Sequence, residues 1–291
     1  MSLLEDRVKA LDTSSLVTAQ AEVLLICVNY RKPVETQHFV SSARDQTLNA
    51  SLRVIVVDNS PQPTIIDTDT ADLKTFAPGK NLGYFGGAAA ALKEHLRNSE
   101  MPRWVIVSNP DVFFPSRDVL QRLLDSHRGD EPAVIAPSIR TLNSFVEQNP
   151  YMRLRPNRWR MRLNSWIFSH YPVDAVYQGL SWIKHRTLDG VTTEPVRAHA
   201  ALPEKIYAPH GSFIALHRSY FEKGGTLEYG AFLFGEEIFV AETARKLGLT
   251  VLFEPSIVIE HTERSTRHGL WNRDTSRYRR QALRYLTRNF F

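Results

Sequence analysis

Residues 22–29 read Glu-Val-Leu-Leu-Ile-Cys-Val-Asn, an apolar run with a polar residue at each end. Runs of this kind, rich in Val, Ile and Leu, are typical of strands that are buried on both faces of a parallel sheet. Residues 52–57 form a second such run, followed by Asp-Asn-Ser-Pro, and residues 104–108 form a third, followed by Asn-Pro-Asp-Val. These three runs predict the centre of an α/β fold.

Helical and further strand patterns alternate with these runs. The predicted helices are 34–46, 88–96, 116–127 and 236–247, and the predicted short strands are 73–76, 133–136, 207–217 and 250–253. Alternation of this kind favours a mostly parallel central sheet flanked by helices. Ligands bind such sheets at the carboxyl ends of the strands. Asn29, Asp58 and Asp111 all follow strands there, so we expect a ligand site at that edge.

Composition narrows the class of protein. The chain has 291 residues, 23% of them charged, and a formal net charge of +5, which favours anionic partners such as nucleotides, lipid phosphates or nucleic acid. Cys27 is the only cysteine, so a disulfide within the chain and a cysteine-rich zinc site are excluded. No signal peptide or membrane-spanning run is visible, and together with the single cysteine this favours a cytoplasmic location.

The sequence predicts three parts. Residues 1–21 are expected to be a leader outside the core, and residues 22–263 one large domain. Within that domain, 22–150 would bind a nucleotide and 151–263 an acceptor. Residues 264–291 form a basic amphipathic C-terminal segment.

Two acidic sites carry candidate chemistry. Asp111 ends a buried strand, where its carboxylate could hold Mg²⁺ or Mn²⁺ against a diphosphate, although Asn-Pro-Asp is also an ordinary turn sequence. Glu236 and Glu237 stand at the start of a helix, where one could be a general base, although acids there also complement the helix dipole. At each of the two sites, the catalytic or metal-binding interpretation and the structural interpretation both stay open.

Weaker candidates lie near these acids. His261 follows a buried strand and is either a metal ligand or a structural histidine. Asp58 either contacts a nucleotide or caps a turn. Gly83, Gly86 and Gly87 permit close approach of a ligand to the backbone, but they match neither a dinucleotide-binding nor a Walker motif.

Taken in chain order, these residues resemble glycosyltransferase family 2, and in particular its bacterial rhamnosyltransferase-like branch. The resemblance covers about Glu22 to His261. It rests on segments in the order of the family: Val28-Asn29-Tyr30, Val56-Val57-Asp58-Asn59-Ser60, Asn81-Leu82-Gly83-Tyr84-Phe85-Gly86-Gly87, Asn109-Pro110-Asp111, His210-Gly211-Ser212 with Leu216-His217-Arg218, Gly235-Glu236-Glu237, and His261.

The resemblance implies a GT-A-type fold and an inverting transfer of a sugar from a nucleotide-diphosphate donor, linked to dTDP or UDP, to a glycan or lipid-linked glycan. The implied setting is bacterial cell-surface polysaccharide synthesis, with rhamnose as one candidate sugar. Glu237 would be the base, where the family usually has Asp, and Asp111 and His261 would hold the divalent cation. The remaining implied contacts are Asn29, Asp58, Gly83, Gly86, Gly87 and Asn109 to the donor, and His210, Gly211, Ser212 and Glu236 to the donor sugar and acceptor.

Three other functions compete with this one. A sugar-phosphate nucleotidyltransferase also uses an α/β nucleotide fold, but Val28-Asn29-Tyr30 is not its basic glycine-rich loop. A non-catalytic carbohydrate- or lipid-binding relative would not need both Glu237 and His261. The many arginines suggest nucleic-acid binding, but no recognised module accompanies them, and we expect no nucleic-acid partner. The oligomeric state is left open.

Arginines alternate with apolar and aromatic residues in 151–166 and again in 277–291. On a helix, Ala282, Tyr285 and Leu286 would share one face, with Arg279 and Arg280 nearer the other. This pattern predicts peripheral contact with the inner face of the cytoplasmic membrane, through arginines at anionic head groups and shallowly inserted rings. The alternative is a helix packed on the catalytic domain.

Overall fold

A computed structural model describes residues 21–63, 69–126, 131–142, 146–168, 202–262 and 273–291. In these ranges nine strands form one sheet, in the order β3-β2-β1-β4-β8-β6-β9-β5, with β7 also paired to β9. The strands are β1 (Val23–Asn29), β2 (Leu52–Asp58), β3 (Leu73–Phe76), β4 (Trp104–Ser108), β5 (Val112–Phe113), β6 (Val134–Thr141), β7 (Glu204–Ile206), β8 (Phe213–His217) and β9 (Val251–His261).

Strands β1 to β4 run parallel to one another. β8 is antiparallel to both of its neighbours, β4 and β6, and β6 is parallel to β9. β5 and β7 pair antiparallel with the two ends of β9. Most strands therefore point the same way, and the predicted α/β class with a mostly parallel central sheet is confirmed.

Helices cover both faces of this sheet, and each face has its own apolar layer. β1 shows why its sequence is continuously apolar: Leu24 and Ile26 face one layer, and Leu25 and Cys27 face the other. The helices in the described ranges are α1 (Pro33–Arg44), α2 (Tyr84–His95), α3 (Val119–Ser126), α4 (Arg158–Ile167), α5 (Arg218–Glu222), α6 (Glu236–Lys246) and α7 (Arg273–Phe290). α1 and α3 pack in the second layer, and α2, α6 and α7 pack in the first.

Some boundaries differ from the predicted ones. α2 begins at Tyr84, not Ala88, because Gly86 and Gly87 lie inside its first turns instead of in a loop. β9 continues to His261, well beyond the predicted end at Phe253. The longer strand matters for the site, because its last residues pair with β5.

The C-terminal helix α7 is docked on the domain. Ala282 and Leu286 are buried on its inner face, and Tyr285 stacks edge-on against Tyr229 with ring centroids 5.1 Å apart. The expected apolar face therefore exists, but it packs on the core, which is the alternative to membrane insertion. No helix in the described ranges has the length and apolar character needed to span a membrane.

The sheet is continuous across the predicted boundary near residue 150. β6 lies before that point in the chain, yet it pairs with β8 and β9, which lie after it. The division into nucleotide-binding and acceptor-binding parts stays a prediction. Residues 1–20 of the predicted leader and residues 264–272 of the C-terminal segment fall outside the described ranges, and Ala21, the last residue of the predicted leader, is buried.

Candidate active site

The carboxyl ends of β1 and β2 are tied together by side chains. Asn29 and Asp58 face each other in register, and the Asn29 amide donates to Oδ1 of Asp58 at 2.9 Å. That oxygen also accepts from the backbone N–H of Ser60 at 3.0 Å. Oδ1 of Asn29 accepts from the backbone N–H of Lys32 at 3.0 Å. These contacts match the turn-forming alternative for Asp58, and its contact with a nucleotide stays a prediction.

The glycine segment lies against this corner. The Asn59 amide donates to the carbonyl of Gly83 at 2.8 Å. Gly83 has φ +77°, and a Cβ there would stand 2.0 Å from the carbonyl oxygen of Phe232, so only glycine fits. A Cβ at Gly87 would come within 3.1 Å of the Asn59 amide, whereas Gly86 is less crowded. The small residues at 83 and 87 therefore serve close packing of the protein on itself.

Asp111 sits in the turn between β4 and β5. Because β5 aligns Val112 with His261, Nε2 of His261 comes to 3.3 Å from Oδ1 of Asp111. The ammonium of Lys32 lies 2.7 Å from Oδ2. The structure thus brings together the two residues expected to bind a metal, and adds a lysine to them.

The charge of Asp111 is set by these neighbours. Burial raises the pKa of this carboxyl, but His261 and then Lys32 outweigh burial and hold the pKa below its ordinary value. Asp111 is therefore an anion at neutral pH. Its Oδ1 is buried, and apart from Nε2 of His261 at 3.3 Å no hydrogen-bond donor of the described residues reaches it.

His210, Gly211 and Ser212 lie next to this pair, at the start of β8. The His210 ring stands 6.0 Å from the ring of His261 and 5.5 Å from that of Tyr151. Nδ1 of His210 is 2.8 Å from Oγ of Ser212. Burial and then His261 lower the pKa of His210 to about 4, so its imidazole is neutral at physiological pH. The backbone N–H of Asn109 donates to the carbonyl of Ser212 at 2.9 Å, which joins β4 to this segment.

Glu236 and Glu237 begin α6 directly after Gly235, whose φ is +82°. Burial and then the charge of Glu237 raise the pKa of Glu236 to about 8. Burial also raises the pKa of Glu237. Acids that only complement a helix dipole are stabilised as anions, which lowers the pKa. The raised pKa values are the opposite effect, and they favour the catalytic interpretation of this pair.

Glu237 reaches the same cluster as Asp111. The Tyr151 hydroxyl hydrogen-bonds the Glu237 carboxylate, and the charge of Glu237 is the largest cause of the raised pKa of Tyr151. A Cβ built on Gly211 would lie 3.5 Å from Oε2 of Glu237, an ordinary contact distance. Contacts therefore run from Asp111 through His261, His210 and Tyr151 to Glu237.

The donor set suits a hard divalent cation. Asp111 and His261 offer a carboxylate oxygen and an imidazole nitrogen, both accepted by Mn²⁺. The described ranges hold no cluster of three or more His, Cys, Asp or Glu side chains arranged for a metal. Two protein ligands fit a cation that takes its remaining ligands from phosphate oxygens and water, as Mg²⁺ commonly does. The observation that supports this fit is the buried Oδ1 of Asp111, which faces the ring nitrogen of His261 at 3.3 Å and accepts no other hydrogen bond from the described residues.

Four residues of the site were missed by sequence reasoning. Lys32 pairs with Asp111, and Oε1 of Gln148 accepts from Nδ1 of His261 at 2.9 Å. Asn149 accepts from the backbone N–H of His210 at 2.8 Å, and Tyr151 bonds Glu237. Only Lys32 carried a local signal, as a cation three residues after the end of β1.

Comparison with known proteins rests on structure, because no family model and no curated protein sequence matches the chain. The chain is similar to GalNAc-T7 solved with UDP, GalNAc and Mn²⁺, with a TM-score of 0.58 and 12% identity over 92% of this chain and 48% of that one. The chain is also similar to mannosyltransferase PcManGT from Pyrobaculum calidifontis, in complex with GDP-Man and Mn²⁺, with a TM-score of 0.45 and 14% identity over 87% of this chain and 60% of that one. For S. aureus TarS 1-349 the TM-score is 0.45 and the identity 14%, over 83% of this chain and 60% of that one.

The likeness to GalNAc-T7 bears on fold. It agrees with the sheet and helix arrangement described above, and the GT-A-type fold that the resemblance implied is confirmed. The chain spans about half the length of the GalNAc-T7 structure.

Proposed function

We propose that this protein is a glycosyltransferase that moves a sugar from a nucleotide-diphosphate donor to a hydroxyl of a glycan or lipid-linked glycan. The observation that carries the proposal is the continuous set of contacts from Asp111 and His261 to Glu237. Glycosyl transfer needs a centre for the departing diphosphate and a base for the incoming hydroxyl within one site. Here the candidate cation ligands and the candidate base share one edge of the sheet.

Glu237 acts as the base in this proposal. A carboxylate with a raised pKa is a better proton acceptor near neutral pH than an ordinary glutamate. The Tyr151 hydroxyl holds the carboxylate in position. Glu236, protonated below about pH 8, can donate a hydrogen bond that orients the acceptor. A single base is enough for one direct displacement, which inverts the anomeric carbon.

Asp111, His261 and Lys32 act on the leaving group. The first two would hold Mn²⁺ or Mg²⁺, which when bound neutralises charge on the nucleoside diphosphate. Lys32 adds a positive charge at the same carboxylate. The UDP, GalNAc and Mn²⁺ in the GalNAc-T7 structure support a nucleotide sugar with a divalent cation on this fold.

The finer assignments rest on the sequence resemblance alone. We propose a donor linked to dTDP or UDP, with rhamnose as the first sugar to try, and a role in bacterial cell-surface polysaccharide synthesis. Donor contacts from Asn29, Asp58, Asn109 and the glycines, and acceptor contacts from the 210–212 segment, belong to the same proposal.

Donor hydrolysis across a panel of nucleotide sugars, with and without Mn²⁺, tests this function. We expect nucleotide sugars of one nucleotide class to be hydrolysed in a Mn²⁺-dependent way. NMR of a transferred product should show that its anomeric configuration is inverted relative to the donor. Failure of every nucleotide sugar to bind or react would reject the proposal. Release of pyrophosphate from a nucleoside triphosphate and a sugar phosphate would instead identify a nucleotidyltransferase.

A further inference from the structure

A groove lies between α4 and α7, on the outer side of the docked C-terminal helix. Its volume is about 340 Å³. We call it the α4–α7 groove, and its lining residues are Arg162, Ser165 and Trp166 from α4 and Arg284, Thr287 and Arg288 from α7. The accessible lining of the groove is mostly apolar, the hydroxyl oxygen of Thr287 is buried, and three arginines surround this space.

The positive charge of this groove is not balanced by the described protein. Arg162, Arg284 and Arg288 form no ion pair with any carboxylate of the described residues, in contrast to Arg155, which pairs with Glu242 at 2.6 Å. Three like charges in one groove repel one another unless an anion lies between them. Guanidinium groups are suited to phosphate oxygens.

An apolar stripe borders the groove on α4. Trp159, Leu163 and Trp166 are 77%, 54% and 72% exposed, and their i, i+4, i+7 spacing places them on one helical face. Arg162 flanks that stripe on the groove side. The opposite face of the helix buries Met161 in the core. Hence α4 presents two tryptophans and a leucine to the outside, next to unpaired arginines.

We propose that this surface binds an anionic lipid bilayer, with head-group phosphates at the arginines of the α4–α7 groove and the stripe of Trp159, Leu163 and Trp166 at the level of the head groups. Tryptophan is enriched at membrane interfaces, and arginines beside it meet anionic lipid. Of the two segments that the sequence predicted to meet a membrane, 151–166 and 277–291, the membrane-facing one is then α4 in the first, because the apolar face of α7 is buried.

The apolar stripe favours lipid over nucleic acid. A single-strand-binding groove uses aromatic rings as stacking platforms beside basic residues. Here Leu163 lies between the two tryptophans on the same face, and a leucine has no base-stacking role but gains free energy by leaving water. The inference does not depend on the proposed glycosyl transfer, because lipid binding is measured without donor or acceptor.

Vesicle co-sedimentation of the full chain tests the surface. We expect binding to vesicles of phosphatidylcholine mixed with phosphatidylglycerol, weak binding to phosphatidylcholine alone, and decline of binding with salt. The double variant Arg284→Ala/Arg288→Ala should bind anionic vesicles about tenfold more weakly or worse, from the usual contribution of each surface arginine. Trp159→Ala/Trp166→Ala should also lose binding, and most of that loss should persist at low salt.

The matched control is Arg97→Ala/Arg122→Ala, which removes the same charge from exposed arginines outside the groove. Equal loss in both arginine doubles, or equal binding to neutral and anionic vesicles, would overturn the proposal. The proposal would also be overturned if the protein did not bind vesicles but bound a single-stranded oligonucleotide tightly, in a way that depends on Arg284 and Arg288. Thermal unfolding checks that each variant is folded, so the result stands whether or not any sugar donor is turned over.

Discussion

The two sides of the candidate site satisfy their polar groups in different ways. At the ends of β1 and β2, the buried side chains of Asn29 and Asp58 bond each other and nearby backbone N–H groups. At β5 and α6, a buried oxygen of Asp111 has only the ring nitrogen of His261 near it, at 3.3 Å, and the pKa of Glu236 is raised to about 8. Buried polar groups are normally paired, and unpaired ones cost stability.

This difference separates scaffold from chemistry. The β1–β2 side is complete without a ligand, so its polar residues stabilise the fold. In the proposed function, a cation or an acceptor hydroxyl bound at the β5–α6 side would lower the cost of burying its acids. Perturbed acids in a cleft are candidates for function for that reason.

Asp111→Ala tests the unsatisfied side most severely. If Asp111 holds the cation, the variant should lose all Mn²⁺-dependent affinity for UDP or dTDP while remaining folded. Titration calorimetry with and without Mn²⁺ measures this. Asp118→Ala, at an exposed aspartate paired with Arg122, is the control. Unchanged affinity in Asp111→Ala would remove Asp111 from the site.

Glu237→Gln keeps the shape of the side chain but cannot accept a proton. Turnover should fall by roughly 100-fold or more, the usual scale for losing a positioned base, with donor affinity unchanged. Steady-state kinetics on the donor found by the panel gives both numbers. If Glu236→Gln lost turnover while Glu237→Gln kept it, the base would be Glu236.

Asn29→Ala tests the satisfied side. Loss of its amide leaves the buried Asp58 carboxylate without one of its donors, so the free energy of unfolding should drop by about 1–3 kcal/mol. Urea unfolding measures the drop, and calorimetry should find little change in nucleotide affinity. If Asn29→Ala instead bound the nucleotide more weakly and kept its full stability, the two sides of the site would not differ in this way. That result would favour the contact of Asn29 with the donor that the resemblance implies.

Glu236→Gln should stabilise the fold in a pH-dependent way. Glu236 has a folded pKa of about 8 against an ordinary value of 4.5. Between these values the unfolded chain ionises while the folded protein keeps its proton, so the parent loses stability as pH rises from 4.5 to 8. The variant lacks that loss and should exceed the parent by about 1 kcal/mol or more above pH 8, with the gap closing toward pH 4.5.

Urea unfolding across this pH range measures the effect, with the exposed Glu228→Gln as a matched change. A constant difference between Glu236→Gln and the parent at every pH would show that Glu236 holds no extra proton in the folded state.

Much of the fold was predictable because strands buried on both faces leave continuous apolar runs. The ends of those runs placed Asn29, Asp58 and Asp111 at one edge, as observed. The start of α2 was misplaced because Gly86 and Gly87 are typical of loops, and only the packing of Gly87 against β1 and β2 explains a glycine inside a helix.

The partners of the site were harder to predict. Gln148, Asn149 and Tyr151 come from one irregular segment, and their roles depend on where β6 leads the chain. No periodicity or spacing marks such residues. The acids and the histidine could be predicted from their residue types at the ends of strands and helices. The side chains that hold them in place could be identified only from the three-dimensional structure.

The contact between Gly83 and the carbonyl of Phe232 joins the two sides mechanically. Gly83 precedes α2 on the satisfied side, and Phe232 lies four residues before Glu236. With no side chain between the two backbones, a displacement of one is passed directly to the other. The start of α2 and the loop before α6 are therefore held against each other, and a methyl group at position 83 would push that loop, and with it the start of α6, away from α2.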